Sequence, residues 1–320
     1  MIVGEGRAKD LYRRLVWGPG RELLEGMPAP YEARLLRWMG GAAGRAMVGK
    51  RELLLGNLRL ALPERGEAEL GRIADAAFCS HFANQYASFS FEKCDIDTWP
   101  RYLRFEGLRH LEEARARGRG VVLMHPHMGP AQLPLHVLGR LGWPMHQIGG
   151  GRITLVDLSE EGRRSAALRS RLEQRMPVTL HDGRGYLRPA LRALQEGAVV
   201  MTACDGTGGG EELGRRIVRE VLGQPMPLPV GPAWMASRTG AALLTLCCHR
   251  SPPFEEALYT ATIGPPLPLP ADRRAALAAG ADHTAAFLNE VLRRWPGDWL
   301  FWDGFTRGGL LSPLAEPPTS

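Results

Sequence analysis

The stretch that indicates the fold is Gly120-Val121-Val122-Leu123-Met124-His125-Pro126-His127-Met128-Gly129-Pro130-Ala131-Gln132. Its apolar, partly β-branched start is typical of a strand buried on both faces. Two histidines follow where that strand ends, and Gly129-Pro130 is a typical helix start. Loops between a buried strand and a helix are where α/β proteins bind ligands. The alternative is that His125 and His127 only form local hydrogen bonds.

Composition places the chain among ordinary globular proteins. It has 320 residues, of which 44% are hydrophobic and 23% are charged. A chain of this length can bury a sizeable core. The sequence predicts no membrane-spanning run and no signal peptide. Five cysteines, an odd number without metal-ligand spacing, favour a reduced cytoplasmic protein with no metal site.

The net charge of +6 is concentrated near the N-terminus. Residues 1–60 contain eleven Lys or Arg but only six Asp or Glu, which is nearly the whole excess. A basic segment can attract anionic lipid, an acidic carrier protein or nucleic acid. No nucleic-acid-binding module is recognisable, so we expect no nucleic-acid partner. The alternative is a solvated helix face.

Residue periodicity predicts helices first and an alternation of strands and helices afterwards. Residues 8–26, 31–62 and 67–89 predict helices; glycines 40, 41 and 44 weaken an autonomous helix and favour packing on the core. Beyond residue 102 the alternation predicts an α/β fold, with a mostly parallel sheet covered by helices. We expect an N-terminal helical extension over 1–30, one α/β domain over 31–309 and a loose tail over 310–320.

Three loops should emerge from the same ends of parallel strands, and there they can form one site. They are His125–Gln132, His181–Gly185 and Asp205–Glu212. The glycines after Asp205 can shape a loop around a ligand, but they do not match a nucleotide-binding fingerprint.

Short motifs along the chain occur in the order of a known family. They are Asn57-Leu58-x-x-x-Leu62-Pro63-Glu64, Phe105-Glu106-Gly107-Leu108-x-x-Leu111, His127-Met128-Gly129, Asp205 with Gly208-Gly209-Gly210, Pro229-x-Gly231-Pro232-Ala233, Arg238-Thr239-Gly240-Ala241 and Trp295-Pro296-x-x-Trp299-Leu300-x-Trp302. Over roughly residues 30–307 the chain resembles the bacterial lipid A late acyltransferases, the lauroyl and myristoyl transferases of the lysophospholipid acyltransferase superfamily. The resemblance implies their α/β fold and acyl transfer from an acyl thioester, with no cofactor.

The family's central motif is a histidine, four residues, then an acid, and here it departs from the pattern. The resemblance makes His127 the general base, but Gln132 stands at the acid position. Asp205 is the best candidate to replace that acid. Alternatively, an amine acceptor needs less base, the protein binds acyl chains or carriers without catalysis, or water accepts the chain and the protein is a thioesterase.

The resemblance also implies substrate-binding residues around this motif. We expect His125, Gly129, Arg184, Gly208, Gly209 and Arg307 to bind substrate, and an apolar tunnel to lie beside His127. The family's N-terminal membrane-spanning helix is absent from the sequence. The expected partners are acyl carrier protein or coenzyme A as thioester, a lipid, carrier-bound or amine acceptor, and the inner face of the cytoplasmic membrane as a peripheral contact.

Overall fold

Among the residues that the structure describes, five α-helices precede the alternating part of the chain. The computed structural model describes residues 6–149, 158–183, 187–206, 214–251 and 257–305. The first helices in these ranges are α1 (Arg7–Leu15), α2 (Arg21–Gly26), α3 (Ala29–Ala46), α4 (Val48–Ala61) and α5 (Glu67–Tyr86). An N-terminal helical segment is confirmed, and in the structure helices continue beyond residue 30 to Tyr86.

From Leu103 onward, strands and helices alternate. The elements are β1 (Leu103–Glu106), α6 (Leu108–Ala116), β2 (Val121–His125), α7 (Gln132–Arg140), β3 (Met145–Gly149), α8 (Glu160–Glu173), β4 (Thr179–Asp182), α9 (Arg188–Gln195), β5 (Val199–Ala203), β6 (Arg216–Val221), β7 (Gln224–Pro229), α10 (Gly231–Thr239), β8 (Ala242–Arg250), β9 (Tyr259–Ile263) and α11 (Arg273–Arg294). The predicted α/β class is confirmed.

The described residues form one large sheet with the strand order β1-β9-β8-β2-β5-β3-β4. Neighbouring strands are parallel, except for the antiparallel pair β8 and β9. The central strand β2 is buried along its whole length, as its unbroken apolar sequence predicts. Because β2, β5 and β3 run in the same direction, the loops that follow them meet at one edge of the sheet.

Side-chain alternation along β2 divides the core into two layers. Val122 and Met124 pack in a cluster with side chains of α4, α5, α10 and α11. Val121 and Leu123 pack on the opposite face, in a cluster that includes side chains of α6 and α7. The sheet is therefore covered by helices on both faces.

The N-terminal helices differ in detail from the predicted ones. Residues 8–26 are not one helix, because Gly18 leaves helical geometry and Pro19 lacks an N–H, so a π-helical turn over 16–20 separates α1 from α2. Residues 31–62 form two helices that meet at Met47. A Cβ on Gly40 would lie 2.6 Å from the Cα of Cys79 in α5. The packing of this segment on the core is confirmed, since its glycine lets two helices approach closely.

Two further features differ from the sequence-based predictions. The antiparallel hairpin of β6 and β7 was not expected, because prolines 225, 227 and 229 argue against a strand. Helix α7 begins at Gln132 rather than at Gly129-Pro130. No helix within the described ranges combines the length and hydropathy needed to cross a membrane.

Candidate active site

His127 and Asp205 meet because two neighbouring strands end at the same level. In the parallel pair of β2 and β5, His125 lies opposite Ala203. His127 and Asp205 each come two residues later, so both leave the sheet at its carboxyl edge. The Cys204 N–H donates to the His125 carbonyl over 2.9 Å, which continues the pairing beyond the strands.

The Asp205 carboxylate is fully buried and binds His127 twice. Its Oδ1 lies 2.7 Å from Nδ1 of the His127 ring. Its Oδ2 accepts the backbone N–H of His127 over 2.8 Å and the indole N–H of Trp299 over 2.9 Å. A carboxylate accepts but does not donate, so it holds the proton of the neutral ring on Nδ1. The unprotonated Nε2 is left to act as a base.

Burial and charge act in opposite directions on this pair. Burial favours the neutral imidazole, but the charge and hydrogen bond of Asp205 outweigh it and raise the pKa of His127 above its usual value. Burial alone would also raise the pKa of Asp205, but His127 and the indole of Trp299 lower it. The side chain of His127 is 27% exposed, so a substrate can reach the ring.

A late segment of the chain, residues 298–301, positions the loop between β2 and α7. This loop, residues 126–131, carries His127 and is called the histidine loop. The Gly129 N–H donates to the Asp298 carbonyl over 2.8 Å, and the Leu300 N–H donates to the His127 carbonyl over 3.0 Å. The Phe301 ring meets the His127 ring edge-on, with centroids 5.3 Å apart. The sequence identifies the aromatic run from Trp295 to Trp302 only as a family motif. It does not indicate that Trp299 binds Asp205.

Asp298 anchors that segment from within the protein. It is buried, accepts a hydrogen bond from Ser80 over 2.7 Å, and pairs with the Arg250 guanidinium through Nε over 2.9 Å. The Arg250 backbone N–H also donates to this carboxylate. The Asp298 carboxylate thus joins a helix to a strand end, and the backbone carbonyl of the same residue binds the histidine loop.

Gln132 does not contact His127 in the way that the family motif implies for the residue at its position. It is the first residue of α7, and it is half-buried. Among the described residues, no hydrogen bond joins Gln132 to His127. The carboxylate beside His127 belongs to Asp205, in the loop that follows β5.

His125 differs from His127 in its protonation and hydrogen bonding, although the two ring centroids lie only 5.8 Å apart. His125 is buried, and its Nδ1 donates to the Pro126 carbonyl over 3.1 Å. Burial first, and then the proximity of His127, lower the pKa of His125 to about 4. His125 is therefore a neutral ring at physiological pH, and its buried Nε2 has no hydrogen-bond partner in the described structure.

The remaining expected substrate-binding residues fall into two groups. Gly129 has a φ of +52°, and a Cβ there would lie 2.9 Å from the Cys248 carbonyl oxygen, so the loop requires glycine. Arg184, Gly208, Gly209 and Arg307 lie outside the described residues.

The apolar tunnel expected beside His127 is not provided by the concavity next to Trp299. That space, lined partly by Leu54, Phe78 and Trp302, has a volume of about 10 Å³. A volume of this size holds about one water molecule and no hydrocarbon chain. Within the described ranges, no cluster of three or more His, Cys, Asp or Glu side chains forms a metal site.

Comparison with known proteins identifies the family of the chain. No curated protein sequence matches the chain. The family model described as bacterial lipid A biosynthesis acyltransferase matches residues 20–302, which span both His127 and Asp205 as well as the segment that positions them. The chain therefore belongs to the bacterial lipid A biosynthesis acyltransferase family.

Proposed function

We propose that this protein moves an acyl chain from an acyl thioester, carried by acyl carrier protein or coenzyme A, to a hydroxyl or amine acceptor. One observation carries the proposal. His127, the histidine that the family motif makes the base, has a buried carboxylate 2.7 Å from Nδ1 and a partly exposed ring. Asp205 thus supplies the charge that Gln132 cannot.

The proposed reaction begins with proton removal by Nε2 of His127. The acceptor oxygen or nitrogen attacks the thioester carbonyl as its proton passes to Nε2, and Asp205 stabilises the imidazolium that forms. The tetrahedral intermediate then collapses: the new C–O or C–N bond stays, the C–S bond breaks, and the thiolate takes the proton from His127. Arg184 remains a proposed donor to the oxyanion.

The geometry favours a hydroxyl acceptor over the amine reading. An amine acceptor was attractive because a site without an acid offers a weaker base. The buried Asp205 removes the need for an easily deprotonated acceptor, because it raises the pKa of His127 and thereby makes the imidazole a stronger base. A hydroxyl of a lipid or sugar is therefore the acceptor that this site supports best.

The experiment is an acyl-transfer assay on the full chain, read by mass spectrometry. Acyl carrier protein and coenzyme A thioesters are each offered with a panel of hydroxyl and amine acceptors, and His127→Ala is the matched variant. We expect an acylated hydroxyl product that the variant does not form. Free fatty acid without acylated acceptor would indicate a thioesterase. Thioester binding without turnover by the wild-type chain would indicate a silent carrier-binding protein.

We also propose a peripheral contact with the inner face of the cytoplasmic membrane. Eight of the ten exposed large hydrophobic side chains of the described structure lie on α1–α4, and Trp38, which is 66% exposed, follows the exposed arginines 34 and 37 in α3. Tryptophan beside arginine suits the interface of an anionic bilayer. Trp38→Glu should weaken co-sedimentation with phosphatidylglycerol vesicles. The control Ile96→Glu introduces the same charge at a position distant in sequence, and it should leave co-sedimentation unchanged.

A further inference from the structure

A cationic cleft lies beside the segment that positions the histidine loop. It has a volume of about 450 Å³ and is bordered by the start of α5, the end of α11 and residues 296–298. Two carboxylates, Glu69 and Asp298, stand against five arginines, so its net charge is about +3. We call it the arginine cleft; its arginines are Arg65, Arg72, Arg250, Arg293 and Arg294.

Arg250 is held as a fixed donor at the base of this cleft. Asp298, 5% exposed, binds its Nε over 2.9 Å, and the Arg250 side chain is only 29% exposed. Its Nη2 lies near Gly297, another residue of the cleft wall. Within the described residues, the two terminal nitrogens have no hydrogen-bond partner, so they remain available to a ligand.

The arginines at the rim of the cleft differ in whether neighbouring carboxylates neutralise them. Arg65 pairs with Glu69, but among the described residues neither Arg72 nor Arg294 forms an ion pair. Arg294 only stacks on the Trp295 ring, 4.4 Å from its centroid. The end of a helix attracts cations, which accounts for Arg294 but not for Arg72 at the start of another helix.

We propose that the arginine cleft binds a phosphate group of one of the two reactants. Guanidinium groups bind phosphate oxygens in pairs, and several of them converge here within a concave space. A cleft of about 450 Å³ suits a small phosphorylated group better than the convex surface of an acidic protein. The source of that phosphate is either the donor or a phosphorylated acceptor.

The position of the cleft connects it to the catalytic pair. Asp298 borders the cleft, Trp299 donates to Asp205, and Leu300 donates to the His127 carbonyl. From residue 298 to residue 300 an extended chain rises only about 7 Å. Three consecutive residues therefore join the wall of the cleft to Asp205 and to the backbone of His127, and we assign the bound phosphate to a reactant on this ground. This assignment to a reactant rests on the proposed function, whereas phosphate binding itself does not require turnover.

The test measures binding of inorganic pyrophosphate to the full chain by isothermal titration calorimetry. The variant Arg72→Gln/Arg294→Gln removes two exposed charges, and Arg273→Gln, at the opposite end of α11, is the matched control. We expect about a hundredfold weaker binding in the double variant, about tenfold per arginine, and no change in the control. Absence of saturable pyrophosphate binding, or equal binding by the double variant, would overturn the proposal. So would binding of acyl carrier protein through these arginines without pyrophosphate binding.

Competition identifies the source of the phosphate. Displacement of pyrophosphate by coenzyme A, but not by pantetheine, which carries no phosphate, assigns the cleft to the donor. Displacement by glucosamine 1-phosphate assigns it to a phosphorylated acceptor. If neither displaces pyrophosphate, the assignment to a reactant is wrong. His127→Ala should abolish transfer and leave pyrophosphate binding intact, so failure of the cleft and failure of the proposed reaction give different results.

Discussion

Replacement of Asp205 by asparagine tests the role of the carboxylate with almost no change in shape. Oδ2 accepts two N–H groups, from the His127 backbone and the Trp299 indole. The amide oxygen must therefore occupy the Oδ2 position. The amide NH₂ then faces Nδ1 of His127 from 2.7 Å, where it can only donate. The ring must carry its proton on Nε2, which is the nitrogen that should accept the substrate proton.

Two losses combine in Asp205→Asn, the wrong tautomer and the missing charge opposite the imidazolium. In the serine-protease triad, the same carboxylate-to-amide change lowers kcat about ten-thousandfold. The hydrogen-bond geometry here is equivalent, so we expect a comparable loss in kcat, or about 5 kcal/mol of transition-state stabilisation. The KM for the thioester should change little, because Asp205 is buried beneath the ring.

The assay is steady-state acyl transfer by Asp205→Asn, with circular dichroism to show that the variant is folded. Gln132→Ala is the matched control, because it removes the side chain at the family's acid position. We expect the control to retain kcat within about threefold. An Asp205→Asn enzyme that keeps more than a tenth of the wild-type kcat would refute the reasoning, as would a Gln132→Ala enzyme that loses activity as severely.

Four further outcomes are expected from the same geometry. Because the pKa of His127 is raised, kcat/KM should fall with decreasing pH around a midpoint above 6.5, and a midpoint below 6.5 would contradict the pairing. While Asp205 stays ionised, the stabilisation that corresponds to the raised pKa of His127 is fully present below pH 6.5 and is lost as pH rises through the folded-state pKa, which pH-dependent urea denaturation can measure. Trp299→Phe removes a donor to the buried Asp205 carboxylate; it should lower the free energy of unfolding by about 2–3 kcal/mol and raise the pKa of Asp205, and unchanged stability would argue against this hydrogen bond. Gly129→Ala forces a left-handed residue against the Cys248 carbonyl, which should cost about 1–2 kcal/mol in urea denaturation and, through displacement of His127, about tenfold in kcat; full activity would show that the loop tolerates the shift.

The central part of the fold could be predicted from the sequence because a strand buried on both faces has a continuous run of apolar residues. The unbroken apolar run of β2 predicted its place in the sheet, and the alternation after residue 102 predicted the α/β class. The expectation that the loops after β2 and β5 share one edge also matches the structure, in which His127 contacts Asp205. Their catalytic roles stay predictions until activity is measured.

The features that sequence could not supply depend on contacts between distant residues. The bond from Trp299 to Asp205 joins positions 94 apart, and the one from Ser80 to Asp298 joins positions 218 apart. No local period encodes such pairs. The proline-rich strand β7 was missed for the opposite reason, because local propensity argued against a structure that pairing with β6 stabilises.

The separation along the chain of the proposed acid from the proposed base has a consequence for classification. In this protein the two groups come from different loops, and they meet only because two parallel strands end in register. A signature that demands an acid five positions after the histidine would score the chain as a degenerate, inactive relative. Sequences with Gln at that position should be sorted by the residue two positions beyond the end of β5 before they are set aside as pseudoenzymes.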